Sequence, residues 1–130
     1  MVTSAAPQRG IILFAHGSRD PQWHLPMEAV AARVRQLDAQ ALVRCAYLEL
    51  SSPDLPACAA GLVAAGVSAI TVVPMFLGVG KHAREDLPRL VAELQTRHPG
   101  IAWQLQGAIG EDPRVTDLLA RIALDAPSAS

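Results

Sequence analysis

The stretch Gly10-Ile11-Ile12-Leu13-Phe14-Ala15-His16-Gly17-Ser18-Arg19-Asp20-Pro21 decides the fold. Its first half is apolar at every position after Gly10, without alternation, which is the pattern of a strand buried on both faces as in a parallel sheet. The run stops at His16-Gly17, where the sequence turns polar. Asp20-Pro21 then sets a capping carboxylate before a proline at the first helical position. Strand, polar loop and capped helix together make one βα unit.

The unit recurs along the chain. Residues 42–48, 69–73 and 101–106 read as further strands, and Ser52-Pro53 and Asp112-Pro113 repeat the helix-start signal. Between and after them, apolar residues fall at helical spacing. Met27, Val30, Val34 and Leu37 form one face; Leu55, Cys58, Leu62 and Val63 a second; Leu87, Leu90, Val91 and Leu94 a third; Val115, Leu118, Leu119 and Ile122 a fourth. Pro26 and Pro88 each remove an amide donor, so the first helix is expected to begin near Pro26 and the third near Glu85. Pro74 ends the third strand, because a central strand cannot spare a ladder donor.

Parallel crossovers are right-handed, so this order predicts a single-domain α/β fold: a parallel four-stranded sheet with helices on both faces, wound like flavodoxin. The domain is expected over residues 10–125, with disordered tails at 1–9 and 126–130. At 130 residues, 51% of them hydrophobic, the chain has room for one real core.

Composition removes several classes of function. Lys and Arg number 11 against 12 Asp and Glu, for a net charge of −1 with no basic block, so nucleic-acid binding has no electrostatic footprint. Aromatics at 4% leave little to stack on a flavin. Apolar runs are broken well short of the roughly 20 residues of a membrane helix, and no secretory signal opens the sequence. Cys45 and Cys58 stand apart, which fits core positions in a reducing, cytoplasmic setting.

In open parallel sheets ligands bind outside the carboxyl ends of the strands. Here those loops are polar: His16 to Asp20, Glu49 to Ser52, and Met75 to His82. His16 stands at a strand end beside Gly17, and His82 lies where a neighbouring loop meets the same crevice. A helix N-terminus next to His82 favours the neutral, metal-coordinating imidazole, and a pair of imidazoles suits divalent cobalt, nickel, iron or zinc. Glu49 is a candidate third ligand or proton acceptor. His24 and His98 read as surface residues. Gly78-Val79-Gly80-Lys81 matches neither phosphate-binding glycine motif, and no G-x-S-x-G supports an esterase.

Three ordered motifs, Phe14 to Pro21, Tyr47 to Pro53, and Val73 to His82 with Asp86-Leu87-Pro88, make the sequence resemble the small CbiX-type sirohydrochlorin chelatases over residues 10 to 122. The resemblance implies insertion of a divalent metal (Co2+ favoured, Fe2+ or Ni2+ next) into a tetrapyrrole, with His16 and His82 as metal-binding histidines and Glu49 as a catalytic partner. It implies no permanent cofactor, the metal being substrate, and a homodimer sharing one cleft. Arg19, Lys81 and Arg84 are candidates for the substrate carboxylates, and Met75, Phe76 and Leu77 for the flat ring face. Two other functions fit the same site: a metal or tetrapyrrole carrier, and a zinc hydrolase built on His16, His82 and Glu49.

Overall fold

The computed structural model describes residues 8–125 and 127. Most of the two expected tails therefore lies outside the described residues. The observed order is β1 (Arg9–Ala15), α1 (Leu25–Leu37), β2 (Leu42–Tyr47), α2 (Leu55–Ala64), β3 (Ala69–Pro74), α3 (Lys81–Arg97), β4 (Ala102–Leu105) and α4 (Pro113–Leu124). Short 3-10 turns, Pro21–His24 and Ile109–Glu111, precede α1 and α4.

All strand pairs are parallel and the sheet runs β2-β1-β3-β4. β1 is thus central, as its unalternating apolar run requires, and Ile12 and Phe14 are essentially without exposure. The first crossover steps one way from β1 and the later ones step the other way. Right-handedness then places α1 on one face and α2 with α3 on the opposite face. The core divides accordingly. Ile12, Phe14, Ile70 and Val72 pack with Leu62 and Val91 on the α2/α3 face, while Leu13, Val43, Tyr47 and Val73 meet Met27 and Ala31 of α1.

Several local expectations need correction. α3 begins at Lys81, not near Glu85, and carries Pro88 inside it. The proline sits on the exposed side, and burial of Leu87, Val91 and Leu94 on the other side outweighs the lost hydrogen bond. Ser52-Pro53 does not cap α2. That peptide is cis and lies in the loop, and Asp54 is the cap, accepting from the Ala57 amide at 2.9 Å. α1 begins at Leu25, preceded by the 3-10 turn that Asp20 caps through Gln22 N–H at 2.9 Å.

The α1 face is narrower than its periodicity implied: Met27 and Ala31 are buried, Val34 half-buried, and Val30 and Leu37 exposed. Cys58 is a core residue as expected, and burial pushes its thiol up to about 11. Cys45 is half-buried, its Sγ 3.8 Å from the Met27 carbonyl. The largest departure is α4, none of whose residues is buried. No helix among the described residues is long and apolar enough to cross a membrane.

Candidate functional site

The loops that follow β1, β2 and β3 are laced together by backbone hydrogen bonds. Leu48 N–H donates to the Ala15 carbonyl at 2.8 Å, Glu49 N–H to His16 at 2.9 Å, and Met75 N–H to Phe14 at 2.7 Å. The parallel pairing of the strands therefore continues into the segments beyond them. Gly17 is what allows this closeness. Its φ is +106°, and a Cβ there would sit 1.7 Å from the Glu49 carbonyl oxygen, so only glycine fits.

A second lock is a hydroxyl hub that sequence reasoning missed. Ser51 Oγ donates to the Ser18 carbonyl at 2.7 Å and accepts from Ser18 N–H at 3.0 Å. Its single proton is thereby spent, so His24 Nε2–H must be the donor in the 2.8 Å bond to the same oxygen. His24 is half-buried and packs edge-on to Tyr47, with ring centroids 5.0 Å apart, rather than lying on the surface as expected. Tyr47 is itself buried, and its phenol is pushed up to about 12 by desolvation. Leu50, directly before the hub, holds a left-handed φ of +64°, which marks a backbone bent to its surroundings.

His98 is also half-buried, stacked near Trp103 at the opposite end of the sheet. Its distance in the fold from the strand-end loops agrees with its expected separation from the site.

His16 and His82 line one cavity of about 360 Å³, with Phe14, Leu48, Phe76, Leu87 and Leu90 forming its apolar wall. The His16 ring lies against Phe76, centroids 4.5 Å apart, and Phe76 is buried. That contact fixes the β1-end histidine on the β3-end loop. His82 is the second residue of α3 instead of standing ahead of the helix. Both imidazoles are exposed to solvent.

The other candidates divide. Lys81 lines the same cavity. Arg84 lines a separate hollow with Val79, Pro88 and Glu111 on the β4 side of α3, and Arg19 lies exposed on the His16 loop. Glu49 contributes its backbone to the site, but its side chain is exposed and does not line the cavity. Among the described residues no three His, Cys, Asp or Glu side chains gather as a metal-holding group, so the zinc hydrolase arrangement is not formed. Phe76 faces the cavity from a buried position, whereas Leu77 is exposed and Met75 packs with the α1-side core.

Asp86 is a cavity residue that the sequence reading did not single out. Helical spacing was the signal available, since Asp86 lies one turn beyond His82 on α3. Its carboxylate accepts from Arg89 at 3.0 Å.

Comparison with known proteins agrees with this geometry. The sirohydrochlorin cobaltochelatase of Saccharolobus solfataricus is 29% identical over 120 residues, covering 86% of this chain and 91% of that protein. A crystal structure of a CbiX protein from Marinobacter aquaeolei VT8 superposes with a TM-score of 0.77 at 33% identity, over 90% of this chain and 95% of that one. The sirohydrochlorin chelatase SirB from Bacillus subtilis, solved in complex with cobalt, superposes with a TM-score of 0.76 at 25% identity. The match to SirB takes 92% of this chain but only 51% of the longer protein. The CbiX family profile matches residues 10–126, the whole span from the central strand through α4, and the chain belongs to the CbiX family.

Proposed function

We propose that this protein is a sirohydrochlorin chelatase that inserts a divalent metal ion into the tetrapyrrole ring, with cobalt preferred over iron and nickel. The observation that carries the reading is the placement of His16 and His82 on one apolar cavity at the strand ends. The cobaltochelatase and cobalt-bound SirB likenesses support cobalt, which imidazole nitrogen accepts along with other first-row ions.

The reaction asks a hydrated cation to shed water while two pyrrole N–H groups lose protons. His16 and His82 hold the incoming cation over the ring and replace part of its water shell. Phe14, Phe76, Leu87 and Leu90 offer the flat macrocycle an apolar wall. Proton uptake falls first to the imidazoles, because Glu49 approaches only from the outer side of its loop. Lys81 at the cavity and Arg19 on the His16 loop are the first candidates for the substrate's carboxylates, and Arg84 the more remote one.

One chain offers a cavity at the small end of the roughly 300–1,000 Å³ range of ligand sites, and a polycarboxylate macrocycle needs more cover than that. We therefore propose that the working form is a homodimer in which two such crevices face each other. The two unpaired cysteines support a reducing, cytoplasmic setting. A non-catalytic carrier would bind the same ligands without turnover.

The test is the visible spectrum of sirohydrochlorin mixed with cobalt and the protein. Insertion should run well above the rate without protein. His16→Ala and His82→Ala should each slow it by about 100-fold, in line with loss of a group acting on the reacting centre. Wild-type rates in both variants would remove the assigned roles, and tight binding of metal and ring without any rate increase would favour the carrier. Competition among cobalt, iron and nickel then ranks the metals.

A further inference from the structure

α1, α2 and α3 are each tied at both ends to strands of the sheet, and each buries an apolar face. α4 is anchored only at its start. There Gly110 N–H donates to the Phe76 carbonyl at 3.0 Å, and a Cβ at Gly110 would fall 1.7 Å from the Leu77 carbonyl oxygen. This pins the entry to α4 against the loop that carries Phe76, at the end of the sheet where His16 and His82 lie. Beyond that point the helix leaves its own core. Val115, Leu118, Leu119 and Ile122 form an apolar stripe at i, i+3, i+4, i+7, yet Leu118 and Ile122 are each 57% exposed and Leu119 43%.

The sheet has a matching vacancy. On the α1 face, α1 covers the β1 and β2 half, while the β3 and β4 half carries no helix of its own. The register sets Ile11, Thr71 and Gln104 in one row and Ala69 with Ala102 in the next. Ile11, Thr71 and Ala69 are only half-buried, and Ala102 and Gln104 are exposed. Thr71, Ala69 and Ala102 are short side chains that let a helix lie close. An open hollow of about 560 Å³ adjoins this face, bordered by Gln104, Gln106, Ile109 and Arg114.

We propose that two copies of this chain exchange α4, each laying its Val115, Leu118, Leu119 and Ile122 stripe on the open β3–β4 half-face of the other. The inference deepens the homodimer reading above and rests on it for its bearing on the site. A second copy is the fitting occupant because one surface supplies the stripe and the same chain supplies the bed, so a twofold axis satisfies both at once. The relative that matches at half its length supports it too, since SirB carries as much chain again beyond the matched part. Because α4 departs from the histidine end of the sheet, reciprocal exchange brings the two strand ends toward one another.

The experiment uses the full chain. Light scattering should give twice the chain mass for wild type at micromolar concentration and a single chain mass for Leu118→Lys/Ile122→Lys, whose lysines replace exposed side chains and leave the core intact. The thiol of a Gln104→Cys variant should be alkylated about tenfold more slowly than in the same variant carrying Leu118→Lys/Ile122→Lys. A monomeric wild type overturns the exchange, and so does a thiol modified equally fast in both backgrounds. A monomer that inserts cobalt sinks the exchange alone. A dimer with a protected thiol that fails to speed insertion upholds the exchange and sinks the chelatase reading instead.

Discussion

The two faces of the sheet follow opposite rules. On one, α2 and α3 close a continuous core in which Ile12, Leu62 and Val72 are wholly buried. On the other, α1 covers one half and α4 buries nothing. The closed face carries the cavity with His16 and His82 at its edge, so its packing holds the site in shape. The open face leaves apolar surface available for assembly. Stability and chemistry are thus concentrated on one side of a sheet only four strands wide, and association on the other.

The sharpest way to break this contrast is to carve into the closed face. Leu62 has no exposure, and Leu62→Ala should cost about 2–5 kcal/mol in urea unfolding, the range for a buried leucine truncated to alanine. The matched change on the open face, Leu118→Ala, should alter monomer stability by less than about 0.5 kcal/mol when measured on dilute protein, because it removes an exposed side chain. Similar losses at the two positions would show that α4 packs on its own chain after all.

Between these lies the hub that joins the loops above the sheet. Ser51→Ala removes the partner of Ser18 and His24 together and should cost about 1–2 kcal/mol while slowing metal insertion, since the His16 loop is no longer pinned. An unchanged insertion rate with lowered stability would confine Ser51 to a structural role.

The smallest effect concerns the junction of α4. Asp112 caps the helix through Arg114 N–H at 2.8 Å and is held at about 2 by the Arg114 side chain and that same amide. A carboxyl below its ordinary value of about 3.9 stabilises the fold above that pH and loses its contribution as pH falls through about 2. Asp112→Asn keeps the cap but not the charge. Its thermal midpoint should therefore fall slightly below wild type at pH 5 and converge with it near pH 2.

Much of this was legible before any coordinates. The unalternating apolar runs announced a parallel sheet, and the polar segments after them announced the site end. The resulting pairing of His16 with His82 on one crevice matches the cavity found. Glu49 shows where that reasoning stops. It was placed correctly at the end of β2, but the backbone turn through Leu50 and the contact with Gly17 direct its carboxylate outward. His24 misled for the converse reason. Its partner Ser51 lies on another loop, and nothing in the sequence near His24 reports it.

The sequence by itself determined the elements and their order, because periodicity and capping are local properties that neighbouring residues impose on one another. It also determined that the strand-end loops would carry the chemistry, because parallel strands must all end on the same side. Only the tertiary structure decided the strand order, the outward turn of Glu49, the Ser51 hub and the partnerless state of α4. The stripe on α4 looks the same in sequence as the stripe on α3. What differs is whether a surface waits within the same chain to receive it, and that depends on contacts between residues far apart in sequence.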